Sequence, residues 1–276
     1  QYVNSGFNTF DMADHYGTSE LIAGTLLKRH RKLKRQPIIC TKWCPEPGPM
    51  TTKIVRAGIE ERLTRLGISC IDLLQFHWWD FQHPAWLDAL HEIANLREQG
   101  LINEIGVTNF DAAHLQLAIA DDIPLKTNQV SFSLIDRRAT GLLADVCRNS
   151  SVKLLAYGTL CGGFINKKWL GAKEPIEIND WSKMKYKRFI DRAGGWEQFQ
   201  TILKTAEQIA NKHNSSISNV AMRWVLEQTG VAGLIVGARL GESVHTDKNV
   251  KVFSFELDDK DYESLESIFS ASMEIP

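Results

Sequence analysis

The sequence predicts an α/β fold of the (β/α)8 TIM-barrel class. Three observations carry this. Short apolar, β-branched runs alternate with helical patterns along the chain, which implies parallel pairing. Most of these runs are apolar throughout, as in strands buried on both faces. Polar residues also close nearly every run: Asp11, Lys42, His77, Asn109 and Gln129. In a barrel those ends share one face, where barrel enzymes keep their chemistry. A doubly wound sheet fits the alternation too, but no G-x-G-x-x-G follows the first run.

The elements follow in order. "QYVNSGFNTF" reads as the last turn of a helix, a Gly6 cap and a strand over 7–11. Further strands are expected at 37–42, 71–77, 104–109, 127–132, 152–158 and 233–238. Helices are expected at 51–67, 84–100, 111–120 and 139–150; in the first of these, Ile54, Ile59, Leu63 and Leu66 recur at near-helical spacing. The stretch 159–232 is long for one connection. Its polar part, 164–195, reads as a loop over the barrel mouth, and helices follow at 196–213 and 216–230. The tail "LDDKDYESLESIF" starts with acids and repeats Tyr262, Leu265 and Phe269 at helical spacing, so it should be a closing helix. Residues 1–276 are thus expected to form a single barrel domain with seven of eight strands. The first strand and most of the first helix are expected upstream of Gln1. An incomplete barrel would expose unpaired edges, so a catalytically impaired fragment is a competing reading.

Charge is balanced, with 32 Lys plus Arg against 33 Asp plus Glu, so no global field favours nucleic acid or an anionic membrane. The basic run at 28–35 reads as a solvated helix end. The apolar run at 233–238 is strand-sized and too short to span a bilayer. Five cysteines at irregular spacing include Cys40 and Cys44, with no second pair at ligand spacing, so no metal site is expected. Reduced thiols and a cytoplasmic location are expected instead.

The strand ends suggest a proton relay. A phenol, with a pKa near ~10, is a poor acid at neutral pH. A neighbouring ammonium favours its phenolate, and a carboxylate aims that ammonium. A histidine at the same mouth can orient a carbonyl oxygen or help move its proton. Tyr16, Lys42, Asp11 and His77 are the candidates for these four roles. Asp14 and His15 are read as ordinary loop residues. Trp43 and Trp78, directly after two of the strand ends, are expected to line part of a substrate pocket.

These motifs, in this order, resemble the aldo-keto reductase superfamily over nearly the whole chain. "FDMADHYG" resembles its first signature, with Asp11 and Tyr16 at two catalytic positions. "ICTKW" and "LLQFHWWD" are similar to the strands that carry its catalytic lysine and histidine, here Lys42 and His77. "EIGVTNF" and "NQVSFSLIDR" resemble the next two strands; there Thr108, Asn109 and Gln129 match positions that hold the nicotinamide carboxamide. "LLAYGTLCGG" is similar to the seventh strand and its loop. The resemblance implies that Tyr157 stacks on the nicotinamide and that Gly158, Thr159, Leu160 and Gly162 belong to the pyrophosphate loop. "IVGARLGES…KNV" resembles the adenosine segment, which implies contacts from Gly237, Ala238, Lys248 and Asn249 and a 2′-phosphate contact from Arg239. The activity implied is NADP(H)-dependent reduction of a small-molecule aldehyde or ketone to an alcohol. Two other functions remain open: an NADPH-binding regulatory subunit of a channel, and a Schiff-base lyase with Lys42 as nucleophile.

Overall fold

The computed structural model describes residues 1–30, 36–238 and 244–270. The chain divides into two compact units. One holds Gln1–Val130 and Leu142–Leu154, the other Ser131–Gly141 and Leu155–Pro276. In chain order the elements begin β1 (Thr9–Asp11), α1 (Ser19–His30), β2 (Ile38–Trp43), α2 (Thr52–Leu66) and β3 (Ile71–His77). Next come α3 (Trp86–Glu98), β4 (Ile102–Thr108), α4 (Ala112–Ala120), β5 (Leu125–Ser131), α5 (Leu142–Ser150) and β6 (Lys153–Tyr157). The last are α6 (Trp181–Arg192), α7 (Gly195–Lys212), α8 (Ile217–Leu226), β7 (Val231–Ile235), α9 (Thr246–Val250) and α10 (Asp259–Ser270).

Among the described residues, seven strands lie in one sheet in the order of the chain. β1 to β5 pair in parallel with their sequence neighbours. Unbroken sequential order is that of a β/α barrel; a doubly wound sheet reverses its order partway. The opening residues form a 3-10 turn, Val3–Ser5, which ends on Gly6 at φ 92°. Glycine adopts that conformation without a Cβ clash.

In the first unit β2, β3 and β4 are buried along most of their length, whereas β1 is exposed to half-buried. Phe76 packs against Trp43, Trp78 and Phe110 on the helix side. Its neighbour Gln75 points the other way and bonds polar groups there. Register aligns Lys42 with Gln75, Gln75 with Gly106, and Thr108 with Gln129. Period-2 alternation therefore collects the polar side chains on one side of the sheet.

α1 and α2 pack closely because Gly24 has no side chain. A Cβ there would lie 2.5 Å from the Leu66 carbonyl oxygen, which is backbone and cannot turn aside. Gly24→Ala is therefore expected to cost about 1–3 kcal/mol. A thermal melt of the variant, alongside the exposed-site control Thr25→Ala, checks this; equal melting temperatures would show that the helices separate without penalty.

In the second unit α7 buries Phe199, Ile202, Leu203 and Ala206, and α8 buries Val220, Ala221 and Trp224. Phe164, Trp169, Trp196 and Phe199 form an aromatic cluster beside them. Lys212 and His213, at the end of α7, both bond Asp261 of α10 and dock the closing helix.

Two expectations are corrected here. Residues 164–195 are not a loop throughout: they contain the twelve-residue α6. Asp180 caps it by accepting from the Lys183 N–H at 2.8 Å, and Tyr186 and Ile190 bury one narrow stripe. The rest of α6 mixes charged residues with the exposed Trp181 and Met184 and the half-buried Phe189, which hides its periodicity. The last strand runs Val231–Ile235 and not 233–238, starting directly after Gly230 at φ 82°. Of the basic run, Lys28 to His30 form the last turn of α1; residues 31–35 lie outside the described residues. No helix among the described residues is long and apolar enough to cross a membrane.

Candidate active site

The floor of the site is a buried ion pair. Lys42, only 1% exposed, projects from β2 and donates to Asp11 Oδ2 at 2.5 Å and to the Met12 carbonyl at 3.0 Å. Asp11 Oδ1 accepts from Gln75 Nε2 at 2.8 Å and from Gln129 Nε2 at 2.9 Å. Gln129 Nε2 also donates to Gln75 Oε1 at 2.7 Å. Four strands thus contribute one group each to a single network. Burial of both charges is tolerable because every Asp11 oxygen is bonded.

Above the floor stands Tyr16, half exposed, with the Lys42 ammonium 5.2 Å from its ring centre. His77, at the end of β3, faces Asn109 Nδ2 across 3.3 Å. Asn109 itself takes φ 57°, a left-handed conformation that Asn tolerates, and its N–H donates to the Gln129 carbonyl at 2.8 Å. Asp11, Lys42, Tyr16 and His77 therefore all belong to the polar ends of β1, β2 and β3.

The loop carrying Tyr16 is tied down more firmly than the sequence suggested. Asp14 Oδ2 accepts from the Cys44 N–H at 2.7 Å, and the Asp14 N–H donates to the Lys42 carbonyl at 3.2 Å. Arg65 donates to the Gly17 carbonyl at 2.5 Å. Behind the loop, the fully buried Glu20 accepts from Thr41 Oγ1 at 2.6 Å and from Arg65 Nε at 2.7 Å. Arg62 lies 3.3 Å from Glu20 and 3.6 Å from Asp14. Asp14 is thus a brace between the tyrosine loop and β2. The carboxylate three residues after Asp11 carried that signal, but only β2 shows what it holds.

The tryptophans sort differently from the expectation. Trp43 is 5% exposed, and its ring fills the space over Gly58 of α2. Trp78 is 1% exposed and donates to the Asp80 carbonyl at 2.7 Å. Both are core residues, because alternation turns them to the helix side. Trp79 is the exposed one, at 64%; it lies on the His77 ring and donates to Cys44 Sγ. Burial is the main reason the Cys44 thiol is pushed up to about 11, against a smaller lowering from the Trp79 hydrogen bond. Cys44 should therefore stay a thiol at pH 8, and its alkylation by iodoacetamide should run at least ~tenfold slower than that of free cysteine. Mass-spectrometric labelling rates check this.

The expected amide-binding residues divide. The Thr108 hydroxyl is buried and has no hydrogen-bond partner among the described residues, which fits a ligand carboxamide. The Gln129 amide nitrogen is committed to Asp11 and Gln75.

In the second unit, Tyr157 is half buried, with Lys185 Nζ 5.0 Å from its ring centre. Gly158, Cys161, Gly162 and Gly163 all have positive φ, and the Cys161 N–H closes a turn on the Gly158 carbonyl at 2.8 Å. Thr159 is buried and Leu160 half buried. A Cβ on Gly158 would lie 2.4 Å from the Tyr186 hydroxyl, and one on Gly162 would lie 2.8 Å from its ring. These glycines are thus required by the seat of Tyr186 as well as by the turn. Gly237 and Ala238 are exposed beyond β7, and Lys248 and Asn249 lie on α9. Arg239 lies outside the described residues. No cluster of His, Cys, Asp and Glu among the described residues is arranged to hold a metal.

The family profile described as Aldo/keto reductase family matches residues 1–269. A probable aldo-keto reductase 1 of Glycine max is 29% identical over 277 residues, covering 97% of this chain and 76% of that protein. An NADH-specific methylglyoxal reductase of Escherichia coli (strain K12) is 24% identical over 294 residues, covering 93% and 81%. Against the flagellar radial spoke protein 5 of Chlamydomonas reinhardtii, identity is 26%; three quarters of this chain matches, and it spans about half, 47%, of that protein. Among solved structures, the glycerol dehydrogenase of Gluconobacter oxydans superposes with a TM-score of 0.79 at 26% identity, over 100% of this chain and 84% of that one.

Proposed function

Because the chain belongs to the aldo/keto reductase family, we propose that it is an NADP(H)-dependent oxidoreductase that reduces a small aldehyde or ketone to an alcohol. The observation that carries this is the Lys42–Asp11 pair buried beneath the half-exposed Tyr16 ring. Tyr16 gives its proton to the carbonyl oxygen. The Lys42 ammonium stabilises the phenolate left behind, and Asp11 holds that ammonium in place. His77 orients the carbonyl oxygen. A dihydronicotinamide, when bound, would supply the hydride to the carbonyl carbon.

Thr108 and Asn109 would take the carboxamide, while Gln129 belongs to the Asp11 network. Tyr157 would stack on the nicotinamide ring. Gly158, Thr159, Leu160 and Gly162 offer the turn for the pyrophosphate. Gly237, Ala238, Lys248 and Asn249 serve the adenosine end. The choice of NADP over NAD rests on Arg239, whose guanidinium can fork onto a 2′-phosphate. Five unpaired cysteines suit a reducing compartment, so we place the activity in the cytoplasm. A Schiff-base role for Lys42 is disfavoured, since Asp11 and Met12 already engage its nitrogen.

The test is loss of NADPH absorbance on a panel of aldehydes and ketones, with NADH run in parallel. Turnover with NADPH supports the proposal. Tight NADPH binding with no turnover of any carbonyl would instead favour a cofactor-binding regulatory subunit.

A further inference from the structure

Granted the carbonyl reduction proposed above, we infer that Trp79 is the plate on which the substrate's substituent lies, and that the site selects uncharged, planar aromatic carbonyls. Trp79 is 64% exposed although it stands two residues after the β3 end that carries His77. Its ring lies on the His77 imidazole with centroids 4.2 Å apart and planes 37° from parallel. Its N–H is spent on Cys44 Sγ, just past the end of β2. The indole thus bridges the ends of the two strands that bring Lys42 and His77. One face is covered by the imidazole, and its only polar atom is bonded. The other face is a flat carbon surface open to solvent.

An indole held this way favours planar apolar partners, because the polar handle no longer competes for water. A carbonyl held by Tyr16 and His77 sets its substituent beside that face. Charge sharpens the choice. Asp14, which accepts from the Cys44 N–H at 2.7 Å, is balanced by Arg62 at 3.6 Å, whereas the exposed Glu46 stands two residues after Cys44. An anionic substituent on this side meets like charge, whereas a neutral ring does not.

The test uses the full chain. kcat/KM is measured with NADPH for benzaldehyde, 4-carboxybenzaldehyde and methylglyoxal, and the NADP-loaded protein is titrated calorimetrically with benzyl alcohol. Benzaldehyde is expected to be preferred over 4-carboxybenzaldehyde by roughly tenfold. Trp79→Ala is expected to lower the ratio of benzaldehyde to methylglyoxal kcat/KM about tenfold, chiefly through KM, whereas Trp79→Phe keeps most of it. An unchanged ratio in Trp79→Ala overturns the inference, as does equal use of the two benzaldehydes. The titration separates the inference from the function it rests on. Benzyl alcohol that binds wild type and binds Trp79→Ala about tenfold more weakly, with no carbonyl turned over, upholds the plate and sinks the reductase. A titration without binding sinks the plate.

Discussion

Tyr16→Phe is expected to lower kcat by about 10²–10⁴-fold while NADPH still binds. The substitution removes one hydroxyl from a half-exposed ring and leaves the ring's place above Lys42 intact. The buried pair beneath it, Lys42 and Asp11, keeps its hydrogen bonds to Gln75, Gln129 and the Met12 carbonyl. Stability should therefore be nearly unchanged, and the loss should fall on the proton-transfer step. Steady-state kinetics with a fluorescence titration of NADPH check both parts. Unchanged turnover would end the assignment of Tyr16 as the acid. Loss of turnover with loss of cofactor binding would point to a damaged site instead.

Asp11→Ala is expected to have the largest effect on stability. Lys42 is almost wholly buried, and Asp11 is its counter-ion at 2.5 Å. Removing the carboxylate strands an ammonium in the protein and also takes the acceptor from two glutamine amides. Breaking a buried pair from one side costs about 3–5 kcal/mol. For a chain of this size that is a fall in melting temperature of roughly 10 °C. The companion variant Asp11→Ala with Lys42→Met removes both charges and should recover much of the loss. If the double variant melts no higher than Asp11→Ala, the stranded charge is not the cause.

Both predictions depend on side chains that were visible in the sequence, though not equally. Asp11, Lys42 and His77 could be marked because each closes a short apolar run. A polar residue at the end of a buried strand is anomalous wherever it stands. Tyr16 stands in the loop beyond β1, and it is the likeness of "FDMADHYG" to the family's first signature that singles it out. Nothing in the sequence singles out Gln75, although it sits two residues before His77 on the same face of β3 and joins Asp11 to Gln129. Its role depends on strand register, which pairs it with Lys42 on one side and Gly106 on the other. Asp14 reads as an ordinary loop residue in the sequence because its partners come from other elements: Cys44 after β2 and Arg62 of α2.

The tryptophans show the same limit. "HWWD" offers two adjacent indoles, and composition cannot say which faces outward. The chain just past β3 turns Trp78 into the core and Trp79 onto His77. α6 is not legible in the sequence because its buried stripe is only Tyr186 and Ile190, while the apolar Trp181 and Met184 stand exposed among charged residues.

The sequence by itself determined the order of the strands and of most helices, the parallel pairing, and which strand ends carry ionisable groups. Those follow from local periodicity and from polar residues placed where apolar ones are the rule. Only the tertiary structure decided what each polar group meets. It gave Asp11 two amides and an ammonium, made Asp14 a brace, and left Trp79 as the open indole. The physical reason is that hydrogen bonds and burial are set by neighbours 30 to 118 residues away in the chain, and sequence spacing does not record them.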